Sequence, residues 1–389
     1  MCGSVEGLGE SLDRYGSAAG VGSRPPTRLA SPLPWIQRGL EVAVFLALPA
    51  IVPLAMIAYL LGTYDTNGLL FDFHVMWNAG RDVAHGQSPY PFVYPAPAAV
   101  LMAPLGALPW KLAVAIFWLL SAAALILTLH LLHVRDWRCY GAVFASIATI
   151  WALEVGTITP LLTLATAAAW RYRDRRWVVS TAIALVIVTK IFLWPLALWL
   201  LATRRFRATF ATVVTAFLML LGSWAIIGFA GLLDYPSHLG DIASIVQYNS
   251  FSILAFVKAL GLSAAGARAV SLIVALGALA LVVLSARGKD GDRRAFVMAI
   301  AASLLVSPIV WAHYFVLLFV PIAIASRRLN WLWLLPLGFW ALPHAASGGS
   351  VRNLVVGLGI TTAIVLGSLQ ARHQPAVGAL APATAPAPV

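Results

Sequence analysis

Charge, cysteine and nucleotide-binding glycine patterns are all scarce in this sequence, and each scarcity removes a class of protein. Charged residues are 10% of the 389, whereas 61% are hydrophobic. A soluble domain of this length cannot hide so much apolar surface, so lipid must solvate much of the chain. There is room for roughly ten crossing segments at about 20 residues each. The two cysteines, Cys2 and Cys139, supply neither a disulfide framework nor a zinc site. No P-loop or dinucleotide glycine fingerprint occurs, which argues against a nucleotide-driven pump. Acidic residues are few, 14 against 26 basic, and the formal net charge is +12. That balance does not indicate nucleic-acid binding, because the basic residues fall in short clusters between apolar runs, where they set membrane topology.

What is present is a succession of apolar runs. Residues 1–38 are Gly/Ser/Pro-rich without the apolar core of a cleavable signal peptide, and are expected to be a disordered cytoplasmic tail. Residues 373–389 are low-complexity and expected to be a disordered tail as well. Between them, 39–372 reads as a single transmembrane domain that begins with an apolar run to about residue 62.

Basic clusters at Arg135/Arg138, Arg171 to Arg176, Arg204 to Arg207, Arg287 to Arg294 and Arg327/Arg328 separate many of the later runs. With the N-terminus in the cytoplasm, the positive-inside rule puts a 63–110 loop and a 231–262 loop outside. The runs 177–203 and 295–326 carry arginines at both ends, so each is expected to be a hairpin. Lys190 would lie at the tip of the first, and Ser307-Pro308 would break the second. Every basic cluster then falls inside. The exceptions are Arg81, Lys111, Lys190, Lys258, Arg268 and Arg352.

Polar groups near the outer face are the candidates for chemistry. A helix starting near Asp72 would align His74, Asn78, Arg81 and His85 on one stripe, opposite Val75, Met76, Ala79 and Val83. Such an amphipathic helix suits the membrane interface. Asp72 has two readings, a general base that takes a proton from a hydroxyl or a helix N-cap. Lys190 is either a point charge for a phosphate or a snorkelling helix-end lysine. His313 is either a phosphate ligand or proton shuttle or a histidine bonded to a neighbouring helix. Gln247, Asn249 and Ser250 suit sugar hydroxyls, or caps at a loop-to-helix junction. His74 and His85 are not spaced as metal ligands, and no metal or other cofactor is expected.

Together these residues resemble a known family. Phe71-Asp72-Phe73, Trp77-Asn78-Ala79-Gly80-Arg81, Gly86-Gln87-Ser88-Pro89-Tyr90, Tyr94-Pro95 and Ala103-Pro104 through Leu108-Pro109 resemble the first external loop of glycosyltransferase family 87. Lys190 with Pro195 and Arg204-Arg205 is similar to a second family segment. Gln247-Tyr248-Asn249-Ser250 and Ser307-Pro308 with Trp311 and His313 are similar to two more. The chain departs from the family's pattern at three places. Tyr314 replaces a second histidine, Tyr248-Asn249 shifts an amide, and Thr157 follows Gly156 where glutamine is common.

The resemblance implies an all-α, GT-C-type helical bundle in a bacterial plasma membrane, with the amphipathic helix in its first external loop. It implies transfer of a hexose, mannose first, from a polyprenyl-phosphate donor to a glycan or glycolipid acceptor on the outer face. Asp72 would be the base in a direct inverting displacement. Lys190, His313 and Arg81 would steady the donor phosphate, and His74, Trp77, Tyr90, Gln247, Asn249 and Ser250 would contact substrate. Two rivals remain at this point. A transporter or flippase would spread ionisable residues along a through-path, and a non-catalytic scaffold would use the polar loop for docking.

Overall fold

The computed structural model describes residues 34–47, 50, 69–342 and 350–371, and among them there is helix but no strand. Both expected tails fall largely outside this set, as does most of the first apolar run. The chain divides into residues 1–40 and 41–389, and all packing below belongs to the second. Helix α1 (Pro34–Val42) begins inside the stretch expected to be tail.

After it come α2 (Phe71–Ala84), α3 (Ala96–Gly106), α4 (Trp110–Leu131), α5 (Trp137–Ala145), α6 (Ile147–Val155) and α7 (Thr159–Arg171). Next are α8 (Arg176–Thr189), α9 (Pro195–Ala202), α10 (Phe206–Ile226), α11 (Tyr235–Val246) and α12 (Ile253–Ala259). The later helices are α13 (Ala264–Ser285), α14 (Gly291–Val306), α15 (Phe319–Ala325), the short α16 (Trp331–Leu334) and α17 (Val351–Gln370).

Four of these, α4, α10, α13 and α17, are long and apolar enough to cross a membrane, and the count reaches six if the bent pairs α5/α6 and α11/α12 each form one span. Among the described residues this is fewer than the roughly ten crossings that composition alone allows, because several apolar runs are broken into shorter helices and most of the first run lies outside that set. The outward sides of α10 and α13 are lined with Phe210, Val213, Phe217, Leu272, Ile273 and Leu276, all exposed. Such surfaces are those that lipid solvates. Within the helices, Thr128, Thr163, Thr166, Thr212 and Ser303 return their hydroxyls to the carbonyl four residues earlier. Each thus satisfies itself without water.

The breaks position the site. Run 177–203 stops being helical at Lys190, which is extended, and resumes through a 3-10 turn at Ile191–Leu193. The chain just past the run returns to its start, since the Ser180 hydroxyl donates to the carbonyl of Ala208 in the first turn of α10. Run 295–326 breaks at Ser307, and a 3-10 helix, Ala312–Leu318, carries His313 onward to α15.

The basic clusters meet at the other end of these segments. Arg173 and Arg205 share Asp292, Arg205 also reaches Asp174, and Leu329 N–H donates to Asp136. His133, between them, is held below its ordinary range by burial and by Arg171, Arg327 and Arg135.

Candidate active site

The amphipathic helix expected near Asp72 is α2. It buries Phe73, Met76, Ala79 and Gly80 and leaves His74, Arg81 and His85 exposed. Phe73 stacks on Phe117 of α4, with centroids 4.3 Å apart, which seats the buried stripe on a long helix. Gly80 faces the backbone at Met102 so closely that a Cβ has no room, and Gly106 meets the backbone at Arg81 in the same way. That approach lets α3 lie against α2.

The start of α2 is held by α6. Leu70 N–H donates to the carbonyl of Glu154 at 2.6 Å, and Gly156, at φ +72°, packs against Phe73. Leu70 is the cap residue and makes no side-chain capping bond. Asp72 is therefore not the N-cap, and its carboxylate faces elsewhere.

It faces the tip formed by Lys190. The Tyr94 hydroxyl donates to Asp72 Oδ2 at 3.4 Å, and Lys190 Nζ lies 5.5 Å from the Tyr94 ring centroid. Burial raises the Asp72 carboxyl above the ordinary carboxylate range, while the Lys190 charge and the Tyr94 hydroxyl pull it back. The Tyr94 hydroxyl is itself pushed up by burial first and by Asp72 next, so it remains a donor.

Lys190 is 4% exposed, too deep for a snorkelling helix-end lysine. It donates to Thr157 Oγ1 at 3.3 Å and lies 4.3 Å from the Tyr314 ring centroid. Phe192 stacks on the other part of this wall, parallel to Tyr314 at 4.6 Å. His313 adjoins Tyr314, within electrostatic reach of Lys190. Its Nε2 is buried without a hydrogen-bond partner among the described residues. A buried ring nitrogen left unpaired beside a cation is a ready place for a ligand's polar atom.

Of the remaining candidates, Tyr90 reaches this cluster through Tyr94, and the others have different partners. Arg81 is exposed and covers the Trp77 ring at 5.0 Å. Trp77 donates to the Leu108 carbonyl, and His74 sits edge-on to Trp110. Tyr90 stacks on Trp224 at 4.7 Å and meets Tyr235, while its hydroxyl donates to the Tyr94 carbonyl at 3.3 Å. The 247–250 segment lies beside the Ser307-Pro308 break, where Phe251 N–H donates to the Val310 carbonyl. Ser250 uses its hydroxyl internally, on Gln247, Ser252 and Pro308. Ser252, and not the three candidates, caps α12. Gln247 is buried and Asn249 exposed.

Tyr94 and Thr157 were not among the candidates from sequence. Tyr94 was visible as part of a Tyr-Pro motif and Thr157 as a departure from a family pattern, but neither type advertises a charge partner.

Residues 92–308 match the sequence pattern of glycosyltransferase family 87. The chain belongs to that family. The matched stretch holds Tyr94, Thr157 and Lys190, starts after Asp72 and stops before His313. This glycosyltransferase is also similar to a polyprenol-phosphate-mannose-dependent alpha-(1-2)-phosphatidylinositol pentamannoside mannosyltransferase of Mycolicibacterium smegmatis. The identity is 25% over 352 residues, covering 82% of this chain and 81% of that protein. A Mycobacterium tuberculosis protein of the same description is 27% identical over 278 residues, covering 66% of this chain and 60% of its own. No solved structure matches the family 87 chain. It is an all-helical, multi-pass membrane glycosyltransferase, and neither the transporter nor the scaffold reading gains support.

Proposed function

We propose that the enzyme transfers a hexose, mannose by preference, from a polyprenyl-phosphate donor to an acceptor hydroxyl at the outer face of a bacterial plasma membrane. The convergence of Asp72, Tyr94, Lys190 and His313 carries this reading. It gathers a carboxylate with a raised pKa, a buried cation and an unpaired imidazole nitrogen from three distant parts of the chain. The donor preference follows the two relatives, both polyprenol-phosphate-mannose-dependent, and so does the choice of a glycolipid as acceptor over a free glycan. Sidedness follows from charge. The end where the arginine clusters meet is assigned to the cytoplasm, which leaves the Asp72 end outside, with no nucleotide supply. A donor carried by lipid reaches that end through the bilayer.

In the proposed step the acceptor oxygen attacks the anomeric carbon as its proton passes to the Asp72 carboxylate. The bond from that carbon to the phosphate oxygen breaks, with inversion, and polyprenyl phosphate leaves. Lys190 offsets the charge that develops on the leaving oxygen, and His313 Nε2, in its N–H tautomer, donates to the phosphate. Arg81, His74, Trp77, Tyr90, Gln247, Asn249 and Ser250 line more distant parts of the proposed substrate path. Among the described residues, Arg81 packs on Trp77 and not on the cluster.

Asp72→Asn tests the base directly. Transfer from polyprenol-phosphate mannose in membranes should fall by about 10²- to 10⁴-fold, with the protein inserted and folded as before. Full activity in that variant overturns the assignment.

A further inference from the structure

At the opposite end of α8 lies a feature that the transfer reaction does not use. A cavity of about 710 Å³ is lined by Arg173, Asp174, Arg176, Arg204, Arg205, Phe206, Arg207 and Ala208. It is separated from Lys190 by the 14 residues of α8, a rise of about 21 Å. The cavity is built from the first turns of α8 and α10. Both helices start on arginine, Arg175 and Arg205 at the cap positions. Neither has a side-chain cap or an acidic residue in its first turn.

This charge placement is the wrong way round for isolated helices. The N-terminal end of a helix carries a partial positive charge and free N–H groups, and favours an anion. Here Arg175, Arg176, Arg205 and Arg207 stand at two such ends, and the two ends face one cavity. Asp292 neutralises part of the excess. It accepts from Arg173 at 2.9 Å, from Arg205 at 2.6 Å and from Trp199 at 2.9 Å. Asp174 adds one longer contact to Arg205, at 3.4 Å. Arg204 and Arg207 form no ion pair among the described residues.

Membrane topology calls for basic loops, but it does not call for two of them to converge on a concavity over two uncapped helix starts. An anion there would satisfy the free N–H groups and the unpaired guanidinium groups together. The rim indicates its level in the bilayer. Trp177 and Phe206, in the same first turns, are 63% and 60% exposed, as aromatic residues at a headgroup boundary are.

We propose that this cavity binds a phosphate-bearing anion, with an anionic phospholipid headgroup as the ligand that its position favours. Planar guanidinium groups suit phosphate oxygens in pairs, and the exposed aromatic rings would rest against the glycerol and upper acyl carbons. The inference is independent of the proposed transfer reaction, because none of these residues touches the Asp72 cluster.

The test is thermal unfolding of the purified full-length protein in neutral detergent, with three additions made separately: phosphatidylglycerol, phosphatidylcholine and inorganic phosphate. Phosphatidylglycerol should raise the midpoint by several degrees where phosphatidylcholine does not. The double variant R204Q/R207Q, which breaks no ion pair, should lose most of that rise. R327Q/R328Q, which removes the same charge from another loop, should keep it. A midpoint raised by inorganic phosphate, and lost in R204Q/R207Q, identifies the same site with a soluble ligand. The proposal is overturned if neither anion shifts the midpoint, if R204Q/R207Q responds like the unaltered protein, or if R327Q/R328Q loses the response equally. Counting phosphatidylglycerol adducts by native mass spectrometry reads the same comparison even if a variant is less stable.

Discussion

Lys190 is the residue on which the site turns, and its surroundings explain two departures from the family's pattern. Thr157 accepts its hydrogen bond and Tyr314 gives it an aromatic face. The Thr157 hydroxyl and the rings of Tyr314 and Tyr94 surround the ammonium without an ion pair among the described residues, so its charge remains available to a phosphate. Tyr94 couples this cation to Asp72. Tyr94→Phe keeps the ring that Lys190 approaches and removes the donor to the carboxylate.

The carboxyl is already raised by burial, and the Tyr94 hydroxyl works against that rise. Losing the hydroxyl raises it further. A general base acts deprotonated, so the acid limb of the activity profile should move to higher pH. Activity at neutral pH should fall by up to about tenfold, the worth of one such bond. A kcat profile measured across pH checks this, and an unmoved limb would remove Tyr94 from the role. Asp72, Lys190 and His313 were legible in the sequence because ionisable groups beside apolar runs are costly and need a reason. Tyr94 and Thr157 were not, because such residues pack into apolar surroundings without one.

Among the elements, α2 was legible from its 3.6-residue stripe, whereas α3 was not. Its segment carries Pro95, Pro97 and Pro104 and reads as loop, yet Pro95 occupies the cap and Pro97 the first turn, where a missing N–H costs nothing. Only the packing of Gly80 and Gly106 reveals why the helix forms there. The α6–α2 junction is equally hidden, and it is where position is transmitted to Asp72. Gly156 adopts a left-handed conformation and leaves no space for a Cβ beside Phe73.

Gly156→Ala therefore combines a backbone penalty of about 1–2 kcal/mol with a push on the first turn of α2. Transfer should fall more than the unfolding midpoint in detergent does, because Asp72 lies one residue from the displaced contact. Equal activity with a lowered midpoint would show that the junction only stabilises.

For the whole molecule, charge in the sequence predicted which loops share an end, and the contacts of Asp292, Asp174 and Asp136 bring those loops together. The hairpins at Lys190 and Ser307 make this possible, since a straight crossing of either run would separate its flanking arginines. Composition could not fix the number of spans, because a broken apolar run and a continuous one contain the same residues. Which membrane face the arginine end occupies is then a question of sidedness alone, and two positions report it.

Phe71 is 63% exposed at the start of α2, and the Asp174 side chain is 79% exposed at the arginine end. Cys139 is buried, so replacing Cys2 with serine leaves little background labelling. In intact cells a membrane-impermeant maleimide should label Phe71→Cys and spare Asp174→Cys until the membrane is opened. The reverse pattern would put Asp72 on the cytoplasmic side, where nucleotide sugars are available, and the case for a lipid-borne donor would then rest on the relatives alone.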